Sequence, residues 1–213
     1  QTPVYVQDRL SPWHGSTGAE GVLYAGVSAF GLSGTNCHLI LRSPDPIPQR
    51  DTLESTARIL PLSAPNADGL LRLATRYHEH LLVHDVHPDD LMFTASVGRT
   101  HHRHRVAFAY ERVEDLCRLL ADFLAGSTSD EAGSPGDICQ GEVRVVLDPA
   151  DKRGSQDVTV AERRARDAEA NLLLAPSNDL ATMRRVARLY ADGAEIDWDR
   201  GVAPGARRIP LPT

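Results

Sequence analysis

The segment Ala25-Gly-Val-Ser-Ala-Phe-Gly-Leu-Ser-Gly-Thr-Asn-Cys-His-Leu-Ile-Leu41 constrains the fold more than any other part of the chain. It is a turn of small residues between two apolar runs, the pattern of two strands joined by a short loop. Gly31, Ser33 and Gly34 let the backbone bend sharply, and the glycines can take φ > 0. Thr35 and Asn36 add side chains that hydrogen-bond to nearby main chain. A turn of this kind can present backbone N–H groups to an anion.

The rest of the composition narrows the class. A chain of 213 residues has room for one domain or two small ones, and 41% hydrophobic residues suits a folded soluble protein. The mean hydropathy of −0.30 agrees with that. No apolar run approaches the roughly 20 residues of a membrane span. A net charge of −6 with no basic face argues against a nucleic-acid partner. Cys37, Cys117 and Cys139 are widely spaced and form no C-x-x-C pair, which points to reduced thiols and a cytoplasmic setting. The start, Gln1-Thr-Pro-Val, has neither an initiator Met nor a signal region, and reads as an internal cut of a longer polypeptide.

The chain divides by composition. Residues 1–42 are strand-rich, beginning with a run at Val4-Tyr5-Val6. Residues 43–51 form a connector that three prolines hold extended. Residues 52–192 read as an α/β unit. Ile59–Ser63 and Arg105–Tyr110 are its strands, with a further strand over Glu142–Leu147. Helical periodicity runs through Leu70, Leu73, Ala74, Tyr77 and Leu81, with Asn66 or Asp68 as cap. It recurs through Leu116, Leu119, Leu120 and Phe123, ended by Gly126, and from Asp179 through Leu180, Met183, Val186, Ala187 and Tyr190. Asp89 and Asp90 open another helix, which Gly98 stops. Residues 126–137 are loop by composition, and 150–171 are so charged that disorder and a solvated helix remain alternatives. Residues 193–213 are extended and proline-locked.

The Phe-Gly-x-Ser-Gly-Thr-Asn-x-His string resembles the last core strands of a polyketide-synthase ketosynthase, a thiolase-fold condensing enzyme. Pro61-Leu-Ser-Ala-Pro and Phe93-Thr-Ala-Ser-Val-Gly-Arg-Thr-His-His-Arg-His-Arg-Val-Ala are similar to the linker that follows such domains. Gly193-Ala-Glu-Ile-Asp-Trp-Asp and Arg208-Ile-Pro-Leu-Pro-Thr213 resemble the post-acyltransferase linker that wraps back over the ketosynthase; relatives continue from there into Tyr-Pro-Phe, so the chain reads as cut just before its natural end. The stretch between Gly126 and Gly193 is too short for an acyltransferase, and no Gly-x-Ser-x-Gly elbow is present. This resembles a trans-acyltransferase module, whose reduced linker is a flanking, acyltransferase-docking subdomain; a self-loading module whose acyltransferase was deleted is the competing account. The fold implied is α/β: terminal strands of a thiolase-like core, then a three-stranded sheet packed with helices.

The resemblance implies decarboxylative condensation of acyl thioesters carried on the phosphopantetheine of an acyl carrier protein, with no cofactor held by this chain. Partners follow by the same route: the remainder of the ketosynthase, a second copy in a homodimer, the carrier protein and a discrete acyltransferase. Leu32 matches the position whose backbone N–H serves the oxyanion hole, while Phe30, Gly31, Ser33, Gly34, Thr35 and Asn36 form the turn at the acyl pocket. The family's nucleophilic cysteine and two histidines have no matching strings here. Cys37 stands where relatives carry Ala and is expected to be a small buried thiol. His38 is expected to be a hydrogen-bonded structural residue.

Other groups have competing readings. His78, His80, His84, His87, His101, His102 and His104 could suggest a metal site, but no H-E-x-x-H accompanies them, so surface histidines are expected. Asp85, Asp89 and Asp90 read as loop and helix-start charge. Trp198, Arg207 and Arg208 are a contact set in the return linker, either toward a ketosynthase body or acidic carrier, or simply packing on the subdomain. A docking module that recruits an acyltransferase or carrier protein without catalysis is the alternative function.

Overall fold

The computed structural model describes residues 6, 8, 9, 22–43, 56–126, 136–154, 157–175 and 178–213. The expected strand start at Val4 and Tyr5, the connector over 44–50 and the loop core over 127–135 lie outside the described residues. The chain divides into two compact units, Gln1–Asp51 and Thr52–Thr213.

In the first unit, β1 (Tyr24–Phe30) and β2 (Asn36–Arg42) pair antiparallel, with Phe30 opposite Asn36 and Ser28 opposite His38. Side chains alternate across a ribbon, so Ala25, Val27 and Ala29 share one wholly apolar face with Cys37, Leu39 and Leu41. The other face mixes Ser28, Phe30, Asn36, His38 and Ile40. Cys37 is exposed rather than buried, because a two-stranded ribbon has no second layer among the described residues of its unit.

The second unit is built on an antiparallel sheet of β3 (Arg58–Ala64), β4 (His104–Tyr110) and β5 (Ile138–Glu142), in the order β3-β4-β5. Among the described residues five α-helices accompany it: α1 (Ala67–Val83), α2 (Pro88–Val97), α3 (Val113–Leu124), α4 (Val160–Leu173) and α5 (Leu180–Ala191). Alternation along β4 divides the core. Val106, Phe108 and Tyr110 pack with Leu70, Ala74 and Tyr77 of α1 and Leu116, Leu120 and Phe123 of α3. Ala107 and Ala109 face the opposite way, with Met183, Val186, Ala187 and Tyr190 of α5. Burying both sheet faces is the source of the unit's stability, at roughly 25 cal/mol per Å² of apolar surface.

The helix starts carry their own chemistry. Asn66, not Asp68, caps α1, its Oδ1 accepting the Gly69 N–H at 2.7 Å. Asp179 caps α5 through the Thr182 N–H at 2.7 Å. The charged stretch after residue 150 resolves in favour of the helix: α4 opens on a capping box in which Thr159 and Glu162 satisfy each other's backbone N–H. The single strand expected over Glu142–Leu147 is two pieces. β5 ends at Glu142, the Val143 N–H turns to the Arg103 carbonyl, and β6 (Arg144–Val146) runs parallel to β7 (Asp157–Thr159).

Candidate functional site

The β1–β2 turn is closed by two backbone bonds: Gly31 N–H to Thr35 C=O at 2.8 Å, and Gly34 N–H to Gly31 C=O at 3.0 Å. The second bond makes Gly31–Gly34 a β-turn with Leu32 at its second position. A Cβ on Gly31 would lie 2.8 Å from the Thr35 carbonyl oxygen, so only glycine permits the first closure. Gly34 has φ +89°, a conformation L side chains rarely take. Leu32 is therefore held at the apex, its side chain fully exposed, with Phe30 beside it at 79% exposure. Such a turn holds backbone dipoles in place without reorganisation, the requirement for stabilising a developing negative charge.

Residues 193–213 pack on the rest of the second unit. Trp198 is buried, its ring 5.5 Å from Tyr190 and 5.8 Å from His101. The Arg207 N–H donates to Asp90 Oδ1 at 2.7 Å, and Thr94 Oγ1 bridges from its own hydroxyl to the Arg207 carbonyl and from the Ile209 N–H. The Arg208 guanidinium lies 5.8 Å from the Phe93 ring centroid. Arg99 holds the Leu211 carbonyl at 3.1 Å, and Arg76 the Thr213 carbonyl. Trp198 thus enters the core with Met92 and Tyr190, while Arg207 and Arg208 lie along α2.

His101 is more embedded than a surface histidine. Its Nε2 donates to the Ser96 carbonyl at 3.0 Å, which leaves Nδ1 to accept from the Tyr190 hydroxyl at 2.7 Å. Burial is the main cause of its lowered pKa, and nearby Arg105 adds to it. Burial also pushes the Tyr190 hydroxyl up to about 12. Arg105 stacks 4.8 Å from the Tyr190 ring centroid and donates to the Tyr190 and Ala194 carbonyls, tying β4 to the end of α5. Sequence alone offered no signal for this knot beyond a histidine placed between a helix and a strand.

Asp89 and Asp90 are likewise buried, not solvated. Arg58 Nε meets Asp89 Oδ1 at 2.5 Å, with both side chains under a tenth exposed. His80 and His84 stack at 4.2 Å between centroids. Among the described residues no three His, Cys, Asp or Glu side chains converge as a metal site, and no helix is long and apolar enough to cross a membrane.

Comparison with known proteins agrees with this architecture. Residues 1–108 match the family model of the ketoacyl-synthetase C-terminal extension. The chain belongs to that family. Polyketide synthase PksL of Bacillus subtilis is 28% identical over 99% of this chain, which corresponds to 4% of its own length. The ketosynthase from module 6 of the bacillaene synthase of the same organism superposes with a TM-score of 0.59 at 25% identity, covering 99% of this chain and 33% of that one. The oxazolomycin ketosynthase domain of Streptomyces albus JA3453 gives 0.55 at 27%, covering 94% and 28%. The chain therefore spans about a third of these solved ketosynthases and a few per cent of the curated synthase. Its fold is that of the thiolase-like ketosynthase C-terminal region with its flanking subdomain.

Proposed function

We propose that this chain works as the C-terminal part of a ketosynthase in a trans-acyltransferase polyketide synthase module, in the cytoplasm. The single observation that carries the reading is the Gly31–Gly34 turn, which holds Leu32 at the apex of a hairpin where its N–H can face an oxyanion. In the reaction, a cysteine thioester outside this chain is attacked by the carbanion left when a carrier-bound malonyl group loses CO₂. The thioester oxygen becomes an oxyanion, the thiolate leaves, and a β-ketoacyl group ends on the phosphopantetheine of the carrier protein. Leu32 N–H stabilises that oxyanion. Phe30, Gly31, Ser33, Gly34, Thr35 and Asn36 shape the acyl pocket around it.

The subdomain's role is structural: residues 52–192 flank the condensing core and offer a surface to a discrete acyltransferase, while residues 193–213 return along it through Trp198, Arg207 and Arg208. Residues 1–42 complete the core and 43–51 connect the two. The partners are the remainder of the ketosynthase, its homodimeric copy, the acyl carrier protein and the acyltransferase.

The test is condensation by the polypeptide that carries this chain together with its ketosynthase, read as β-ketoacyl carrier protein by mass spectrometry. Leu32→Pro suits the second position of a β-turn while deleting the N–H. It is expected to lower condensation about 10²–10³-fold, the usual loss for one oxyanion donor. Leu32→Ala, which keeps the N–H, should change only which acyl chains are accepted. Equal turnover in the two variants would overturn the assignment.

A further inference from the structure

The hairpin's apolar face sets its register weakly. Ala25, Val27 and Ala29 oppose Leu41, Leu39 and Cys37, so a slip by two residues would still place apolar against apolar. A one-residue slip is costly because it flips every side chain, but a two-residue slip is not excluded by polarity. The other face carries the discriminating contact. Ser28 lies directly opposite His38, and Ser28 Oγ meets His38 Nδ1 at 2.8 Å. The imidazole covers Gly26: a Cβ there would lie 3.2 Å from His38 Cε1 and 3.6 Å from Nε2. A hydroxyl both donates and accepts, so Ser28 can bond Nδ1 in either tautomer and when the ring is protonated.

We propose that Ser28, His38 and Gly26 form a cross-strand lock that fixes the hairpin register and thereby positions the Leu32 N–H. The inference rests on the oxyanion reading for its functional consequence, but the lock itself does not. Its geometry is local. Ser28 and His38 stand two residue pairs behind Phe30 and Asn36, which flank the turn, with Ala29 and Cys37 between them. A two-residue slip displaces a strand by about 6–7 Å, and even about 1 Å at a catalytic donor can cost 10²-fold in rate. Ser28 and His38 are thus positioning residues rather than groups that touch the substrate.

The experiment uses the same ketosynthase-bearing polypeptide and reads two quantities: deuterium uptake in the peptide spanning residues 30–36, and condensation turnover. Ser28→Ala and Gly26→Ala are expected to raise uptake at the turn, where the Gly31 and Gly34 amides are bonded, and to lower turnover about tenfold. Ser28→Thr, which restores the hydroxyl, should return both to within about twofold. Val27→Ala, which trims the apolar face and leaves the lock intact, separates register from stability and should keep turnover at matched melting temperature. If Ser28→Ala leaves uptake unchanged, the lock is overturned even where Leu32→Pro abolishes condensation. If Ser28→Ala raises uptake while Leu32→Pro condenses normally, the lock holds and the oxyanion reading falls.

Discussion

Gly141 in β5 pairs with Arg105 of β4, and its Cα faces the last turn of α5. A methyl group there would overlap the Ala191 carbonyl oxygen and sit 2.9 Å from the carbonyl carbon, against the roughly 3.5–4.0 Å of a relaxed contact. Both atoms are backbone, so no rotamer can relieve the overlap. Gly141→Ala must push the end of α5 outward by roughly 0.6–1 Å, enough to forfeit a quarter to a half of the dispersion at each facing contact. That turn holds Tyr190, which packs on Trp198 and accepts from Arg105. Overpacking of this kind costs about 1–3 kcal/mol, offset by up to about 1 kcal/mol from removing a strand glycine's conformational freedom. A net loss of about 1–2 kcal/mol corresponds to a fall in Tm of about 2–8 °C for a unit of this size. Gly154→Ala is the control, because nothing lies within 4 Å of a Cβ there. Thermal unfolding followed by tryptophan fluorescence would compare the two. If Gly141→Ala melts within a degree of Gly154→Ala, the close approach of β5 to α5 is wrong.

Other perturbations follow from the buried polar groups. Arg58→Met should cost about 3–5 kcal/mol by leaving the Asp89 carboxylate buried without its cation, and the double variant with Asp89→Leu should recover most of it in urea denaturation. His101 binds its proton less tightly in the fold than in the unfolded chain, so the unfolded state takes up protons first. Its contribution is complete above pH 6.5 and is lost as pH falls toward the lowered folded value; His101→Gln should flatten stability over that window. Thr159→Ala removes the α4 cap and should cost about 1 kcal/mol. The bond from Lys152, followed by those from Thr159, draws the Glu162 carboxyl down to about 2, so this carboxylate's support is present above its ordinary 4.5 and fades as pH falls toward 2. A circular-dichroism titration of wild type against Glu162→Gln checks that.

Local chemistry made much of this molecule legible in advance. The stripes of α1, α3 and α5 appear in the sequence because one face of each must be apolar, and β4 alternates large with small apolar residues, both its faces being buried. The Gly31–Asn36 turn was equally readable, since a backbone that closes so tightly tolerates few residues. β5 was misplaced because Gln140, Gly141 and Glu142 carry no apolar alternation. Its position comes from hydrogen bonds to β4 and from the room Gly141 leaves for α5. The parallel pairing of β6 with β7 was hidden for a related reason: each strand has three residues, too few to show a period.

The sequence by itself determined the hairpin with its glycine turn, the helical faces, and the family that the string from Phe30 to His38 marks. Only the tertiary structure decided which polar groups leave water. His101 enters the Tyr190–Trp198 knot, Asp89 becomes the buried partner of Arg58, and Cys37 stays exposed on its ribbon. Burial of a polar group depends on partners contributed from distant parts of the chain: Tyr190 lies 89 positions from His101, and Asp89 lies 31 from Arg58. Local composition carries no record of those meetings, and desolvation is settled by the assembled neighbours.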